Sequence, residues 1–162
     1  MLEPEKSLPS LKELIPAERI ALDVEASDWR EAIRISGKYL VDTQIVEPRY
    51  IEAMIKTAEE LGSYVVIAPQ IALPHARPED GVLDTGMSFV RLKTPTDFGH
   101  SDHDPVTLVF GLAAIDKHIH VRALQTLAKV LSNDHLVDKL LKARSVEEVY
   151  SIFDKAENLN DA

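Results

Sequence analysis

The residues best suited to chemistry in this sequence are histidines, because a neutral imidazole is a good nucleophile and changes charge near neutral pH. Six are present, at positions 75, 100, 103, 118, 120 and 135. His75 stands in IALPHARPED (71–80), where an apolar run ends on Pro74 and is followed by Arg77, Pro78 and two acids. Pro69, Pro74 and Pro78 each fix φ and stiffen the segment. A stiff segment beside a strand end can aim one side chain accurately. On these residues alone, His75 is either such an aimed group or an ordinary surface-loop histidine.

His120 opens the series His120, Ala123, Leu124, Leu127, Leu131, the spacing of a helix's core face. It should point inward from the first turn of a helix over about 119–131. A helix N-terminus attracts anions and disfavours added positive charge, so a histidine there stays neutral until a phosphate or carboxylate arrives. The plainer alternative is a first-turn histidine satisfied locally. His118 raises a metal reading, with His120 and with His75 or Asp116, if the segment is extended. On a helix, residues two apart lie about 200° around the axis and the rings diverge. HSDHD (100–104) raises the same reading, although loops rich in His and Asp are commonly just solvated. Neither has a recognised metal spacing. With no cysteine there is no thiolate chemistry and no disulfide. No glycine motif for cradling a nucleotide phosphate and no G-x-S-x-G elbow occurs.

Regular elements must position these groups. RIALDV (19–24) reads as a strand. A helix follows over 28–42, with Asp28 and Glu31 as its capping pair. A second helix runs from about Pro48 to Leu61 and stops at Gly62, with Ile51, Met54, Ile55, Ala58 and Leu61 as its apolar face. YVVIA (64–68) and MSFVRL (87–92) read as strands, and VTLVFGLAAI (106–115) as a central strand buried on both faces. Helices over 119–131, 134–143 and 146–156 close the chain, the last opened by Ser145 and Glu148. This order predicts a single α/β domain over 1–162, a sheet covered by helices on both sides. Its core spans about 18–155, and 1–17 reads as a short, partly ordered lead-in.

The net charge of −9 suits a partner with a basic surface, and no basic cluster points to nucleic acid. No run of about 18 apolar residues marks a membrane-spanning helix. The N-terminus is too acidic and too broken for a secretory signal, so a cytoplasmic location is expected.

Together these residues resemble the mannitol/fructose-type enzyme IIA proteins of the bacterial sugar phosphotransferase system. IALPH matches the family's phosphorylation motif, roughly G-[IV]-A-[IVL]-P-H, with Gln70 in place of the glycine. LVFGLAAIDKHIHVRALQTLAKVL resembles the second signature, an apolar strand, an acid, then a histidine opening a helix, with His120 in the histidine position. EPRYIEAMI, ALPHARPEDGV, TGMSFVRLKTPTDFGH and DPVTLVFGLAAID look most like the ascorbate-type branch. The resemblance covers about 18–155. It implies a three-layer α/β/α fold with a mixed central sheet and a phosphotransferase that needs no cofactor or metal. It also implies that His75 accepts a phosphoryl group from the histidine phosphocarrier protein HPr and passes it to a cysteine of a cognate IIB protein. His120 would hold the phosphoryl oxygens, and a backbone carbonyl would orient the His75 ring. The membrane IIC component would be met only through IIB. An arginine that many members carry in the second helix is missing from MIKTAEE, which leaves Arg77 as the replacement phosphate clamp. The alternative within the same fold is a regulatory protein that signals through phosphorylation-dependent contacts.

Overall fold

The computed structural model describes residues 9–160. In chain order they form α1 (Leu11–Leu14), β1 (Ile20–Val24), α2 (Trp29–Asp42), α3 (Arg49–Leu61), β2 (Val66–Ala68), β3 (Ile71–Ala72), β4 (Gly86–Thr96), β5 (Val106–Ala113), α4 (Lys117–Leu131), α5 (Asp134–Lys142) and α6 (Val146–Asn160). The five strands make one mixed sheet in the order β1-β4-β5-β3-β2. The β1–β4 and β3–β5 pairs are parallel, whereas β4–β5 and β2–β3 are antiparallel. β5 is therefore the middle strand, which explains its near-continuous apolar sequence.

Strand alternation sends side chains to two cores. Leu108, Phe110 and Leu112 of β5 join Phe89, Leu127, Leu140 and Phe153 on one face. Val109 and Ala113 join Ile33, Leu40, Tyr50 and Met54 on the other. Helices α1, α4, α5 and α6 cover the first face, and α2 and α3 cover the second, giving the expected three layers. Asp28 caps α2 by accepting the Glu31 N–H at 2.9 Å.

Several elements differ from the sequence reading, for local reasons. Within the stretch taken as a lead-in, Leu11, Leu14 and Ile15 are buried against α4 and α6, so part of it belongs to the core. Its first eight residues lie outside the described residues. Residues 62–65 form a 3-10 turn, so the strand expected over 64–68 starts only at Val66 and Tyr64 is exposed. β4 runs on through the polar tail KTPT, whose Pro95 hid it. Leu61 is exposed rather than part of the apolar face of α3. Buried Tyr50 takes a place on that face that the spacing did not assign.

Gln70, in the turn between β2 and β3, has φ of +69°. This left-handed backbone costs a residue with a Cβ roughly 1–2 kcal/mol, which gives a physical reason for the glycine of the family motif. The turn is tied down on both sides. The Gln70 N–H donates to the His103 carbonyl at 3.0 Å, and the Gln70 carbonyl accepts from Thr107 and Leu108 N–H at 2.9 and 3.0 Å. Gln70→Gly should stabilise the protein by about 0.5–1 kcal/mol after the greater backbone entropy of the unfolded glycine chain is set against the relief of strain. Chemical denaturation measures this directly, and a lower midpoint for the glycine variant would contradict it.

Candidate functional site

His75 reaches its place as an extension of β3. That strand runs parallel to β5 through the pairs Ile71↔Leu108 and Ala72↔Val109, and pairing resumes at His75↔Leu112. The Leu73 N–H turns away to the Val65 carbonyl at 2.8 Å, while the Pro74 carbonyl accepts the Leu112 N–H at 3.0 Å. His75 therefore sits at the C-terminal end of two parallel strands, where open α/β sheets place their ligands. It is half-buried. Its Nδ1 lies 2.9 Å from the Leu73 carbonyl oxygen. A carbonyl only accepts, so Nδ1 carries the proton and, in the neutral ring, Nε2 keeps the lone pair. The backbone carbonyl expected to orient His75 is that of Leu73.

His120 comes from the other side of the same strand end. β5 leaves the sheet at Ala113, and Asp116 caps α4 by accepting the Ile119 N–H at 2.8 Å. His120 then points inward from the first turn, with its ring centroid 5.3 Å from that of His75 and the planes tilted by 59°. Burial, and then the charge of His75, hold its pKa below the ordinary histidine value. Both effects disfavour a charged ring, in the direction expected of a histidine at a helix N-terminus.

The other candidates separate from this pair. Because α4 already starts at Lys117, His118 lies on helix and is exposed, so it diverges from His120 as helical spacing requires. Among the described residues, no group of three His, Asp or Glu side chains lies close enough to hold a metal ion. The His100 and His103 rings stack at 4.3 Å within the 97–105 loop, where the Asp104 carboxylate accepts N–H bonds from Phe98, Gly99 and His100. Those two histidines thus help build the loop that receives the Gln70 N–H. Arg77 has its guanidinium on Glu79 and Asp80, at 3.4 Å in each case, and its side chain is 74% exposed.

The sequence reading missed Tyr50, which is fully buried on α3. Its hydroxyl oxygen accepts the Ala76 N–H at 2.9 Å and lies 2.9 Å from the Leu112 carbonyl oxygen. Burial pushes its pKa up to about 12, so the hydroxyl keeps its proton. Around this end of the sheet, Leu83, Ile115 and Val121 are about half exposed. Val121 follows His120 directly, Ile115 follows β5, and Leu83 precedes β4, whose Gly86 pairs with Ala113 at the same end.

One imidazole with an oriented lone pair and a second imidazole beside it suit the transfer of a phosphoryl group. Such transfer is mostly positioning and charge stabilisation.

Comparison with known proteins points the same way. A family model for the phosphoenolpyruvate-dependent sugar phosphotransferase system, EIIA 2, matches residues 13–156. The ascorbate-specific phosphotransferase system EIIA component of Salmonella choleraesuis (strain SC-B67) is 39% identical over 137 residues, covering 84% of this chain and 89% of that protein. The solution structure of the mannitol-specific cryptic phosphotransferase enzyme IIA CmtB from Escherichia coli superposes with a TM-score of 0.81 at 35% identity, covering 91% of this chain and 99% of that one. A complex of enzyme IIA and phosphorylated enzyme IIB of the mannitol system from Escherichia coli gives 0.78 at 32% identity, covering 88% and 99%.

Proposed function

This chain belongs to the EIIA type-2 family of the phosphoenolpyruvate-dependent sugar phosphotransferase system, and from that premise we propose that His75 is the residue that carries its phosphoryl group. The observation that carries this reading is the pair of rings, one fixed through Nδ1 on the Leu73 carbonyl and the other 5.3 Å away. In the transfer, Nε2 of His75 attacks phosphorus on the phosphohistidine of the donor. The donor's N–P bond breaks, and its ring leaves with the electron pair. The positive charge that develops on the His75 ring is supported by the Nδ1–H bond to Leu73. His120 donates to the phosphoryl oxygens. In the second step an acceptor thiolate takes the phosphoryl group, and His75 recovers its neutral ring.

The donor in this reading is the histidine phosphocarrier protein HPr, and the acceptor is a cysteine of a cognate IIB protein. The IIC component is reached only through IIB. Leu83, Ile115 and Val121 give the partners an apolar landing area around the two rings, and the acidic chain steers basic surfaces toward it. Arg77 serves as a phosphate clamp by exchanging Glu79 and Asp80 for phosphoryl oxygens. All of 1–162 works as one such domain, in the cytoplasm. Ascorbate-type uptake is favoured because relatives of that specificity are 39% identical. The specificity is tested by offering the phosphorylated protein to purified IIB proteins of ascorbate and mannitol type. Faster transfer to the ascorbate-type IIB is expected. Equal rates would remove the substrate assignment. Transfer to neither would favour the regulatory alternative.

A further inference from the structure

The pair His75/Leu112 is a parallel bridge, and such a pair is bracketed by two main-chain hydrogen bonds. One is made directly, from the Leu112 N–H to the Pro74 carbonyl at 3.0 Å. The other position lies between the Ala76 N–H and the Leu112 carbonyl, and there the Tyr50 hydroxyl is inserted. It accepts from Ala76 at 2.9 Å and stands 2.9 Å from the Leu112 oxygen. A hydroxyl has a single proton, and among the described residues the other carbonyl bonded to it, that of Ala76, is farther away at 3.2 Å. The proton therefore goes to Leu112, and the oxygen relays the ladder bond.

We propose that Tyr50 is a positioning residue for phosphoryl transfer, its hydroxyl acting as a spacer that sets how far residues 75–76 stand from β5 and hence where the His75 ring meets His120. This rests on the reading of His75 as the phosphoryl carrier. Two bonds in series through an oxygen hold the Ala76 nitrogen and Leu112 oxygen farther apart than one direct bond allows. His120 depends on the other exit from β5, through the Asp116 cap, so the spacer adjusts one ring and leaves the other in place. The spacer is itself immobile. Its side chain is fully buried, in the same core cluster as Met54 and Ala72. The segment leading into α3 is also latched to the segment after His75: the Glu47 N–H donates to the Gly81 carbonyl at 2.8 Å, the Leu83 N–H to the Ile45 carbonyl at 2.9 Å, and Val46 bridges Val82. The deeply raised pKa of Tyr50 keeps the relay proton in place across the working range.

Tyr50→Phe removes only the oxygen, which frees the Ala76 N–H to bond Leu112 directly and draws His75 inward. Single-turnover acceptance of phosphate from HPr should slow by about 10- to 100-fold, the scale of an ångström-level misplacement. KM for the donor should hold, since the buried tyrosine cannot touch it. The final stoichiometry should remain one phosphate, and the ¹⁵N signals of the His75 ring should shift. A wild-type rate with unshifted ring signals, or a loss confined to KM, would overturn the proposal. Should the variant fold poorly, the wild-type protein decides. A slowly exchanging Tyr50 hydroxyl proton with a cross-peak to the Ala76 amide is expected, and a freely exchanging hydroxyl would overturn the spacer. Failure of the carrier reading looks different: wild-type His75 would then take no phosphate, whatever Tyr50→Phe does.

Discussion

His75→Ala should gain no acid-labile phosphate under conditions where the wild-type protein gains one per chain. The argument is chemical, since alanine has no nucleophile, and His100, which also has a neighbouring imidazole, spends its Nδ1 lone pair on the Asp102 and His103 N–H groups. His120 is beside it but half-buried on a helix, and His100 and His103 are stacked on each other in a loop. His75→Gln separates shape from chemistry. Glutamine can still donate to the Leu73 carbonyl and fill most of the space, yet it cannot accept phosphorus. Both variants should remain folded, because His75 is only half-buried and the lost Nδ1–H bond contributes about 0.5–1.5 kcal/mol. Radiolabelled phosphate from phosphoenolpyruvate, passed through the soluble donor proteins, reads the result. Label on His75→Gln at the wild-type level would remove His75 from its role.

The second large effect is expected at His120. His120→Ala should slow onward transfer to IIB by about 100-fold, the low end of the range seen when one donor to developing charge is removed, and acceptance by less, about 10-fold. The asymmetry follows from charge. Before transfer, burial and His75 keep His120 below its ordinary pKa. Once a phosphoryl dianion stands on His75, a protonated His120 becomes favourable and its pKa should rise. Removing His120 thus costs most where the phosphoryl group must be held and released. The same reasoning fixes the sign of the pH dependence. In the unphosphorylated protein the depressed pKa contributes stability that is present above pH 6.5 and lost as pH falls through the folded value. In the phosphoprotein the raised pKa reverses this, and the contribution is lost as pH rises through the folded value. NMR titration of the His120 ring in both forms measures the reversal. Equal onward rates for wild type and His120→Ala would rule out the assigned role.

The two histidines were legible for different reasons. His120 declared itself through helical spacing, and His75 through its prolines and the motif around it. β3 was hidden because two residues, Ile71 and Ala72, are too few to show a period. Without that strand, His75 reads as a loop residue rather than the end of a ladder on β5. Tyr50 was hidden because the spacing did not assign it to the apolar face of α3, and nothing local reveals that its hydroxyl meets a strand far along the chain. Arg77 was legible only by its nearness in sequence to His75; what the sequence did not show is that Glu79 and Asp80 engage its guanidinium, so a phosphoryl group would have to displace them. Gln70 was visible only as a departure from the family motif, and the positive φ supplies the physical meaning of that departure.

The central claim, that phosphate rides on Nε2 of His75 while Nδ1 stays on the Leu73 carbonyl, has one direct measurement. The protein is labelled with ¹⁵N-histidine, phosphorylated through HPr, and followed by ³¹P and long-range ¹H–¹⁵N NMR. A single phosphorus signal coupled to Nε2 of His75, with a proton retained on Nδ1, is the predicted result. Phosphate on Nδ1 of His75, on His120, or on any other residue would contradict it.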